Sequence, residues 1–299
     1  MIKLREYSDL HLDWYFSGGV PFNAETGQMK CWFPPDLPDD KETTLILAGD
    51  LWVGTKWIEF ATFSWIGKVA PKFKQVLVVL GNHCYWPQGD LSILGGATKC
   101  NNLLKDMGLY NVKVLDMDTY ADGDYLFVGC TLWTDMNKGE PLAMHNMSNF
   151  MAYDGKIAYE TGLNGMYSRF TSDKWVQTHM KHRDYIKHVA AQNRDKQLIV
   201  ITHHLPLMHL GDPVYQGNAS NAYYMSDLSD LILDNDNIKM WFFGHTHHQS
   251  DTTFPPYAKT GDGCRMINNC VGYQGEHMEQ LGLVRHEVIE IRISHRRAG

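Results

Sequence analysis

The chain has 299 residues, of which 44% are hydrophobic and 20% are charged, an ordinary composition for a globular protein with a large core. Its formal net charge of −7 argues against a broad basic surface for nucleic acid. It does not exclude local binding of an anionic substrate, because bound divalent ions can dominate the field around a site.

Short apolar runs rich in Val, Ile, Leu and Phe recur along the chain, and each ends in a glycine or a polar cluster. Runs of this kind are typical of strands that are covered on both faces. The predicted strands are Ile2–Tyr7, Thr43–Ala48, Val76–Leu80, Leu126–Val128, Leu198–Ile201 and Lys239–Phe243. The predicted helices between them are Thr55–Val69, Gly95–Met107, Ser172–Gln192 and Tyr223–Asp234. This alternation favours a layered α/β fold.

Two segments interrupt the alternation. Phe16–Asp40 is long and contains Gly-Gly and Pro-Pro pairs, which predicts a loop. Thr134–Gly165 is rich in Met, Asn and Gly, and its length suggests a lid or an insertion over a site. We therefore expect a single domain over residues 1–299, with a possible lid or insertion at 134–165.

Cysteine usage and hydropathy indicate the compartment. None of the six cysteines shows Cys-x-x-Cys spacing, so we expect free thiols in a reducing compartment. The N-terminal residues alternate charged and apolar types, unlike a signal peptide. The longest apolar runs are too short to span a bilayer. These features predict a cytoplasmic protein without a membrane segment.

Polar side chains with metal-binding chemistry follow the predicted strands, where ligands of layered α/β folds gather. These residues are Asp9, His11, Asp50, Asn82, His83, His203, His245 and His247. A glycine precedes three of them, and glycine permits a sharp bend without the steric cost of a Cβ atom. Imidazole, carboxylate and amide ligands without thiolate favour Mn, Fe, Zn, Co or Ni over Ca or Mg.

In this order, the motifs Asp-x-His, Gly-Asp, Gly-Asn-His, His and Gly-His-x-His resemble the calcineurin-like metallophosphoesterase superfamily. The match runs from Asp9 to His247, and five motifs in the right order are highly specific. The stretches 131–135 and 264–273 also resemble bacterial and phage members. The resemblance implies a four-layer α/β/β/α sandwich of two mixed β-sheets flanked by helices.

The resemblance also implies a role for each position around two divalent metal ions, of which manganese is favoured. One ion would be held by Asp9, His11, Asp50 and His247, and the other by Asp50, Asn82, His203 and His245. Asp50 would bridge the ions, and His83 would lie near the scissile phosphate as a catalytic residue. A hydroxide shared by the ions would attack phosphorus. In the pair His203-His204 we assign the ligand to His203, because it comes first after the strand.

The favoured function is hydrolysis of a small phosphorylated molecule, possibly a nucleotide, as a monoester or a diester. A nuclease or a phosphoprotein phosphatase using the same site is the alternative within this chemistry. A non-catalytic metal-binding interaction module is the alternative outside it, although no ligand position is missing.

Further residues have two competing interpretations each. Arg265 could grip a substrate phosphate with two hydrogen bonds or form a salt bridge with a nearby acid. His204 could orient a substrate or support its neighbouring ligand. Aromatic residues after strand ends could stack on a substrate or cover the core; these are Trp52, Trp86 and Trp133. His179 and His182 stand three residues apart on the long predicted helix. A surface or packing role is favoured for them over binding of a third metal ion.

Overall fold

The computed structural model describes residues 1–16, 31–59, 64–161, 166–256, 258, 263–276 and 278–291. The strands in these residues are β1 (Ile2–Tyr7), β2 (Thr43–Ala48), β3 (Gln75–Val79), β4 (Val112–Val114), β5 (Asp118–Asp122), β6 (Tyr125–Gly129), β7 (Ala158–Thr161), β8 (Tyr167–Arg169), β9 (Gln197–Ile201), β10 (Ile238–Phe242), β11 (Ser250–Phe254), β12 (Cys264–Asn268) and β13 (Ile289–Ile291). The helices are α1 (Lys56–Glu59), α2 (Trp65–Val69), α3 (Gly96–Asp106), α4 (Met136–Gly139), α5 (Pro141–Phe150), α6 (Ser172–Gln192) and α7 (Ser229–Leu233).

Two mixed sheets form the centre of the molecule. The first has the order β13-β1-β2-β3-β4, in which β1 to β4 are parallel and β13 runs antiparallel beside β1. The second has the order β11-β12-β10-β9-β6-β5, with four parallel central strands and an antiparallel strand at each edge. The parallel central strands bring several carboxyl ends to one edge of each sheet.

The inner faces of the sheets pack against each other, and the helices cover the outer faces. One core cluster joins residues of both sheets, among them Leu4, Ile46, Val79, Phe127, Ile201 and Phe242. A second cluster lies between the first sheet and α1 to α3, and a third lies between the second sheet and the helices α6 and α7. The predicted α/β/β/α arrangement is therefore confirmed, and it explains why the central strands are apolar on both faces.

The structure confirms some of the predicted helices and not others. The prediction for Ser172–Gln192 matches α6, and α3 lies within Gly95–Met107. Thr55–Val69 contains α1 and α2, with residues 60–63 outside the described chain. The prediction for Tyr223–Asp234 is mostly wrong, because only Ser229–Leu233 is α-helical. Before this helix, the amide groups of residues 226 and 228 bond to carbonyls of residues 205 and 206, and so take no part in a helix.

The two interrupting segments lie in different positions. Of the predicted loop Phe16–Asp40, residues 17–30 lie outside the described chain, and residues 31–39 form no helix or strand. The segment Thr134–Gly165 contains α4, α5 and β7, with residues 162–165 undescribed. It packs against residues 219–223, where Thr134 Oγ1 donates to Ala222 O at 2.6 Å. Its role as a lid stays a prediction.

The structure also describes the state of the cysteines and the lengths of the helices. All six cysteines are free thiols. Within the described ranges, each helix is too short or too polar to cross a bilayer.

Candidate metal centre

The predicted metal-binding residues lie where the carboxyl ends of both sheets meet. Asp9 follows β1, Asp50 follows β2 and Asn82 follows β3 in the first sheet. His203 follows β9 and His245 follows β10 in the second. The backbone amide of His245 donates to both Asp9 oxygens at 3.0 Å, which fixes the second sheet's loop against the first. The two sheets thus contribute to one site.

Several of these residues have a left-handed backbone. The positive-φ residues of the site are Asp9 (54°), His11 (41°), Asp50 (52°), His245 (75°) and His247 (50°). A left-handed conformation costs a non-glycine residue about 1 kcal/mol or more. Such outliers concentrate at functional sites, where the surrounding structure holds them in place. Here they mark the turns that bring side chains two residues apart to the same side.

The glycines beside these residues allow close approach of side chains. A Cβ atom on Gly49 would lie 2.1 Å from His203 Nδ1, and one on Gly81 would lie 2.1 Å from Asp50 Oδ1. A Cβ atom on Gly244 would lie 2.6 Å from an Asp9 oxygen. Of the three, only Gly49 has a positive φ. The predicted sharp bend therefore holds for Gly49, whereas the other two are required by contact.

One group of convergent atoms consists of Asp9, His11 and His247, whose ligand atoms lie within 4.8 Å of one another. His11 Nε2 lies 3.0 Å from His247 Nε2, and the latter lies 3.5 Å from Asp9 Oδ1. Ligands about 2.0–2.2 Å from a shared ion have separations of this order. Glu276 Oε2 lies 2.7 Å from His247 Nδ1, so it orients this ring with Nε2 toward the group.

A second group consists of Asp50, His203 and His245. His203 Nε2 lies 3.2 Å from Asp50 Oδ2 and 3.0 Å from Asn82 Oδ1. The Nδ1 atom of His203 lies 3.0 Å from Ala48 O. A hydrogen bond from Nδ1 to this carbonyl leaves Nε2 free to act as a ligand.

Asp50 connects the two groups. Its ligand atom also lies within 4.8 Å of those of His11 and His83, so it borders both sets. The backbone amide of His83 donates to Asp50 Oδ1 at 2.9 Å and fixes the carboxylate. The His83 ring lies between Trp86, at a centroid distance of 3.5 Å, and His11, at 4.5 Å. Tyr273 Oη lies 3.3 Å from His83 Nε2.

The buried carboxylates of the site are paired with histidine rings that shift their pKa values. Burial by itself would raise the pKa values of Asp9 and Asp50, but neighbouring histidines hold both pKa values below the usual range. Burial opposes protonation of His203, yet Asp50 raises its pKa to about 9. The carboxylates of Asp9 and Glu276 similarly raise the pKa of His247 to about 10 despite burial. Protons on these rings thus neutralise carboxylates that a metal ion would otherwise neutralise.

The donor set fits divalent transition metals. It combines carboxylate, imidazole and amide oxygen ligands, which suit Mn, Fe, Co, Ni and Zn. His245 Nε2 is buried without a hydrogen-bond partner, an arrangement that costs free energy unless a cation binds the nitrogen. Burial lowers the pKa of His245 well below its usual range, so the ring is neutral and has a free lone pair.

Asp154 is a component of the site that was not predicted from the sequence. It is buried, and both its oxygens accept from Asn82 Nδ2 at 3.2 Å. Trp86 Nε1 donates to the same carboxylate at 2.6 Å. Burial raises the pKa of Asp154 to about 7, although hydrogen bonding from Trp86 and from Asn82 opposes the shift. Because Asp154 takes both hydrogen bonds from the amide nitrogen, Asn82 Oδ1 points toward His203. No motif of the family pattern includes Asp154, which lies in the loop between α5 and β7.

A cavity of about 570 Å³ opens from the centre. Residues of the centre form one end, including Asp50, Asn82, His83, His245 and His247. The remaining lining comes mainly from two segments, 150–154 and 208–225. This volume is typical of a small-molecule site.

The predicted substrate-binding residues lie elsewhere. Arg265 binds Asp251 through two hydrogen bonds of 2.8 and 2.7 Å, which agrees with its salt-bridge interpretation. Trp133 is buried against Trp175, with ring centroids 4.5 Å apart. His204 is buried behind His245 at a centroid distance of 4.3 Å. None of these three lines the cavity, so the geometry does not support direct contact with a substrate.

The remaining aromatic and histidine residues singled out from the sequence lie in different parts of the structure. Trp86 lines the cavity, whereas Trp52 is buried in the core. His179 Nδ1 lies 3.2 Å from Leu132 O, and His182 Nδ1 accepts from Leu132 N at 3.1 Å. Within the described residues, neither histidine belongs to a convergent metal-binding group.

Comparisons with known proteins identify the family of this chain and proteins that are similar to it. The family model for calcineurin-like phosphoesterases matches residues 7–249. Uncharacterized protein L509 of Acanthamoeba polyphaga mimivirus is 25% identical over 282 residues, covering 91% of this chain and 92% of the relative. The structure of a phosphopantetheinyl hydrolase from Mycobacterium tuberculosis has a TM-score of 0.62 at 19% identity, covering 93% of this chain and 92% of the other. A dimetal phosphatase from Danio rerio has a TM-score of 0.46 at 12% identity, covering 89% and 87%.

Proposed function

Because this chain belongs to the calcineurin-like phosphoesterase family, whose members hydrolyse phosphoester bonds, we propose that it is a dinuclear metallophosphoesterase acting on small phosphorylated molecules. The observation that carries the proposal is the convergence of two ligand groups, Asp9-His11-His247 and Asp50-His203-His245, with the Asp50 carboxylate also within 4.8 Å of the His11 ligand atom. The family implies divalent metal ions, and manganese is the proposed native metal.

The proposed ligand sets follow the two groups. Asp9, His11, Asp50 and His247 hold one ion. Asp50, Asn82, His203 and His245 hold the other. Supporting the first set, Glu276 orients His247 at 2.7 Å. Supporting the second, Asn82 Oδ1 and His203 Nε2 lie 3.0 Å apart.

When bound, two divalent ions acidify a water molecule and neutralise charge on the phosphoryl oxygens. The residues of the chain position these participants. The His83 amide donates to Asp50 and holds this carboxylate within reach of ligand atoms of both groups. His83 lines the cavity beside the groups. Burial lowers its pKa to about 4, against the opposing effect of Asp50. It is therefore a neutral ring that hydrogen-bonds the phosphoryl group or the departing oxygen.

A small substrate is supported by the shape of the site. The cavity of about 570 Å³ holds a compact organic phosphate, whereas a nuclease needs a basic path for a polyanion.

The proposal is tested by hydrolysis of p-nitrophenyl phosphate and bis(p-nitrophenyl) phosphate with added Mn, Fe, Co, Ni or Zn. We expect metal-dependent release of p-nitrophenolate from at least one ester. Folded, metal-loaded protein that cleaves neither ester with any of these ions would contradict the proposal and revive the non-catalytic interpretation.

Two variants separate metal binding from catalysis. Asp50→Asn removes the shared carboxylate charge, so elemental analysis should find both ions reduced together.

His83→Ala should retain the ions and lower kcat by about 10²–10⁴-fold, as expected for a lost acid–base group. Full activity of His83→Ala would remove His83 from the mechanism.

A further inference from the structure

Aromatic and methionine side chains form much of the apolar lining of the cavity beyond the metal centre. Six aromatic side chains and three methionines contribute to it; they are Trp86, Phe150, Tyr153, Tyr215, Tyr224, Tyr273, Met151, Met208 and Met225. Such side chains bury large apolar or aromatic groups and adapt to their shape. The part of the cavity outside the ligand groups is therefore suited to an apolar body.

The aromatic side chains continue directly from the catalytic end of the cavity. Trp86 stacks on His83 at a centroid distance of 3.5 Å, and Tyr153 stacks on Trp86 at 4.6 Å. Elsewhere in the lining, Tyr224 stacks on His245 at 4.5 Å. A group attached to a phosphate at the metal centre would thus leave the centre beside aromatic rings.

Large apolar side chains are exposed around the opening. Phe150 is 53% exposed, Tyr153 47%, Met208 48% and Tyr215 59%, and all four line the same cavity. Single exposed apolar residues are normal, but a group around one cavity marks a binding surface. Substrate binding would remove this surface from water.

The charges of the lining disfavour a second anionic group. No lysine or arginine lines the cavity among the residues described by the structure. Asp212 and Glu276 do line it, and each would repel an additional phosphate or carboxylate. A nucleoside diphosphate or triphosphate therefore finds no lysine or arginine counter-charge in the described lining outside the metal centre.

We infer that the substrate carries a single phosphoryl group on an otherwise uncharged, largely apolar or aromatic body. This inference rests on the proposed function, because it places the phosphoryl group at the two metal ions. It narrows the substrate class to aryl esters or esters of other apolar alcohols and excludes polyphosphates.

The test compares three phosphonates as competitive inhibitors of whichever p-nitrophenyl ester is turned over. Methylphosphonate, phenylphosphonate and 4-carboxyphenylphosphonate each carry one phosphoryl group and differ only in the attached body. We expect phenylphosphonate to bind at least about tenfold more tightly than methylphosphonate, because the ring is buried against apolar walls. We expect 4-carboxyphenylphosphonate to bind more weakly than phenylphosphonate.

Variants of the wall assign the preference to this cavity. Tyr153→Ala and Met208→Ala should each reduce the ratio of phenyl to methyl affinity several-fold. Tyr110→Ala is the matched control, since Tyr110 is 79% exposed and does not line the cavity; it should leave the ratio unchanged. Gln216→Lys adds a cation to the wall and should restore binding of 4-carboxyphenylphosphonate.

Equal affinity for methyl- and phenylphosphonate, or tighter binding of the carboxylated compound by the unaltered protein, would overturn the inference while esterase activity persists. Calorimetric binding of the three phosphonates to the manganese-loaded protein makes the same comparison without turnover. Failure of the proposed function, seen as absent hydrolysis, is therefore distinguishable from failure of the substrate preference.

Discussion

In the proposed centre, Asn82 must present its carbonyl oxygen rather than its amide nitrogen to a cation, and Asp154 imposes that orientation. Both oxygens of the Asp154 carboxylate accept from the Asn82 amide nitrogen at 3.2 Å, and the Asn82 carbonyl oxygen has no hydrogen to donate to them. Hydrogen-bond partners of metal ligands commonly set both orientation and affinity. A residue from the predicted insertion thereby acts on a ligand that follows β3.

Asp154→Ala should lower affinity for the ion held by Asn82 by about 10–100-fold, the usual effect of losing such a partner. Metal titration followed by calorimetry measures the change. Asp212→Ala is the control, because Asp212 is another acid of the cavity that bonds its own loop at Val214 N. If Asp154→Ala bound both metal ions with unchanged affinity, Asn82 would be oriented without Asp154.

At the scale of strands and their loops, the glycines show why these turns need particular residues. Gly81 follows β3, and its missing side chain leaves room for Asp50 from the turn after β2. Parallel neighbouring strands end side by side, so their turns compete for the same space. The turn after β3 must therefore have a residue without a side chain where the turn after β2 carries the Asp50 carboxylate.

Gly81→Ala should displace Asp50, because the added Cβ would lie 2.1 Å from Oδ1 and 2.6 Å from the Asp50 backbone nitrogen. We expect a loss of stability of about 1–3 kcal/mol, as for other overpacked positions, together with weaker metal binding. Denaturant unfolding and elemental analysis measure the two effects. Gly275→Ala provides a comparison, since its Cβ would meet open space; similar losses in both variants would argue against a specific clash.

Helix α6 contains a buried histidine that makes stability depend on pH. Burial lowers the pKa of His182 to about 3, with a smaller contribution from Lys181. The neutral ring accepts from Leu132 N at 3.1 Å, and its other nitrogen lies 3.4 Å from Asp116. In the unfolded chain the pKa returns to about 6.5. The unfolded state therefore binds the extra proton between these values, and stability present above pH 6.5 is lost as pH falls toward 3.

His182→Gln removes this proton uptake while keeping an acceptor for the Leu132 amide. The slope of unfolding free energy against pH should decrease between pH 6.5 and 3, by at most about 1.4 kcal/mol per pH unit for one proton. Denaturant unfolding at several pH values measures the slope. An unchanged slope would mean that other groups dominate acid unfolding.

At the scale of the whole molecule, the proposed centre connects the two sheets. Asp9, Asp50 and Asn82 belong to turns of the first sheet, whereas His203 and His245 belong to turns of the second. The sheets otherwise meet through an apolar core. Ions held by both sets would resist separation of the sheets, because binding to the folded state alone stabilises it.

Manganese should therefore raise the unfolding temperature of metal-stripped protein. At 100 times the dissociation constant the gain is about 2.7 kcal/mol, which corresponds to roughly 4 °C for a chain of 299 residues. Differential scanning calorimetry with manganese and with EDTA measures the shift. Asp50→Asn should show a much smaller rise; an identical unfolding temperature with and without metal would contradict a centre that links the sheets.

The central strands and their ligands were predictable because they depend on local pattern. A strand covered on both faces must be largely apolar, as β2 and β9 are after their first residues, and Asp50 and His203 each lie two residues beyond the end of such a strand. The family order of the motifs then indicated which distant turns meet. The prediction of a helix over Tyr223–Asp234 was mostly wrong, because backbone hydrogen bonds to the carbonyls of residues 205 and 206 outweighed the local helical pattern.

The sequence by itself therefore determined the class of fold, the metal-binding residue types and the reaction class, since each leaves a periodic or motif pattern along the chain. Only the tertiary structure decided that Asp154 and Glu276 orient ligands, that Arg265 pairs with Asp251, and that aromatic walls face the centre. These features depend on contacts between residues far apart in sequence, and burial or pairing across such distances leaves no local pattern to detect.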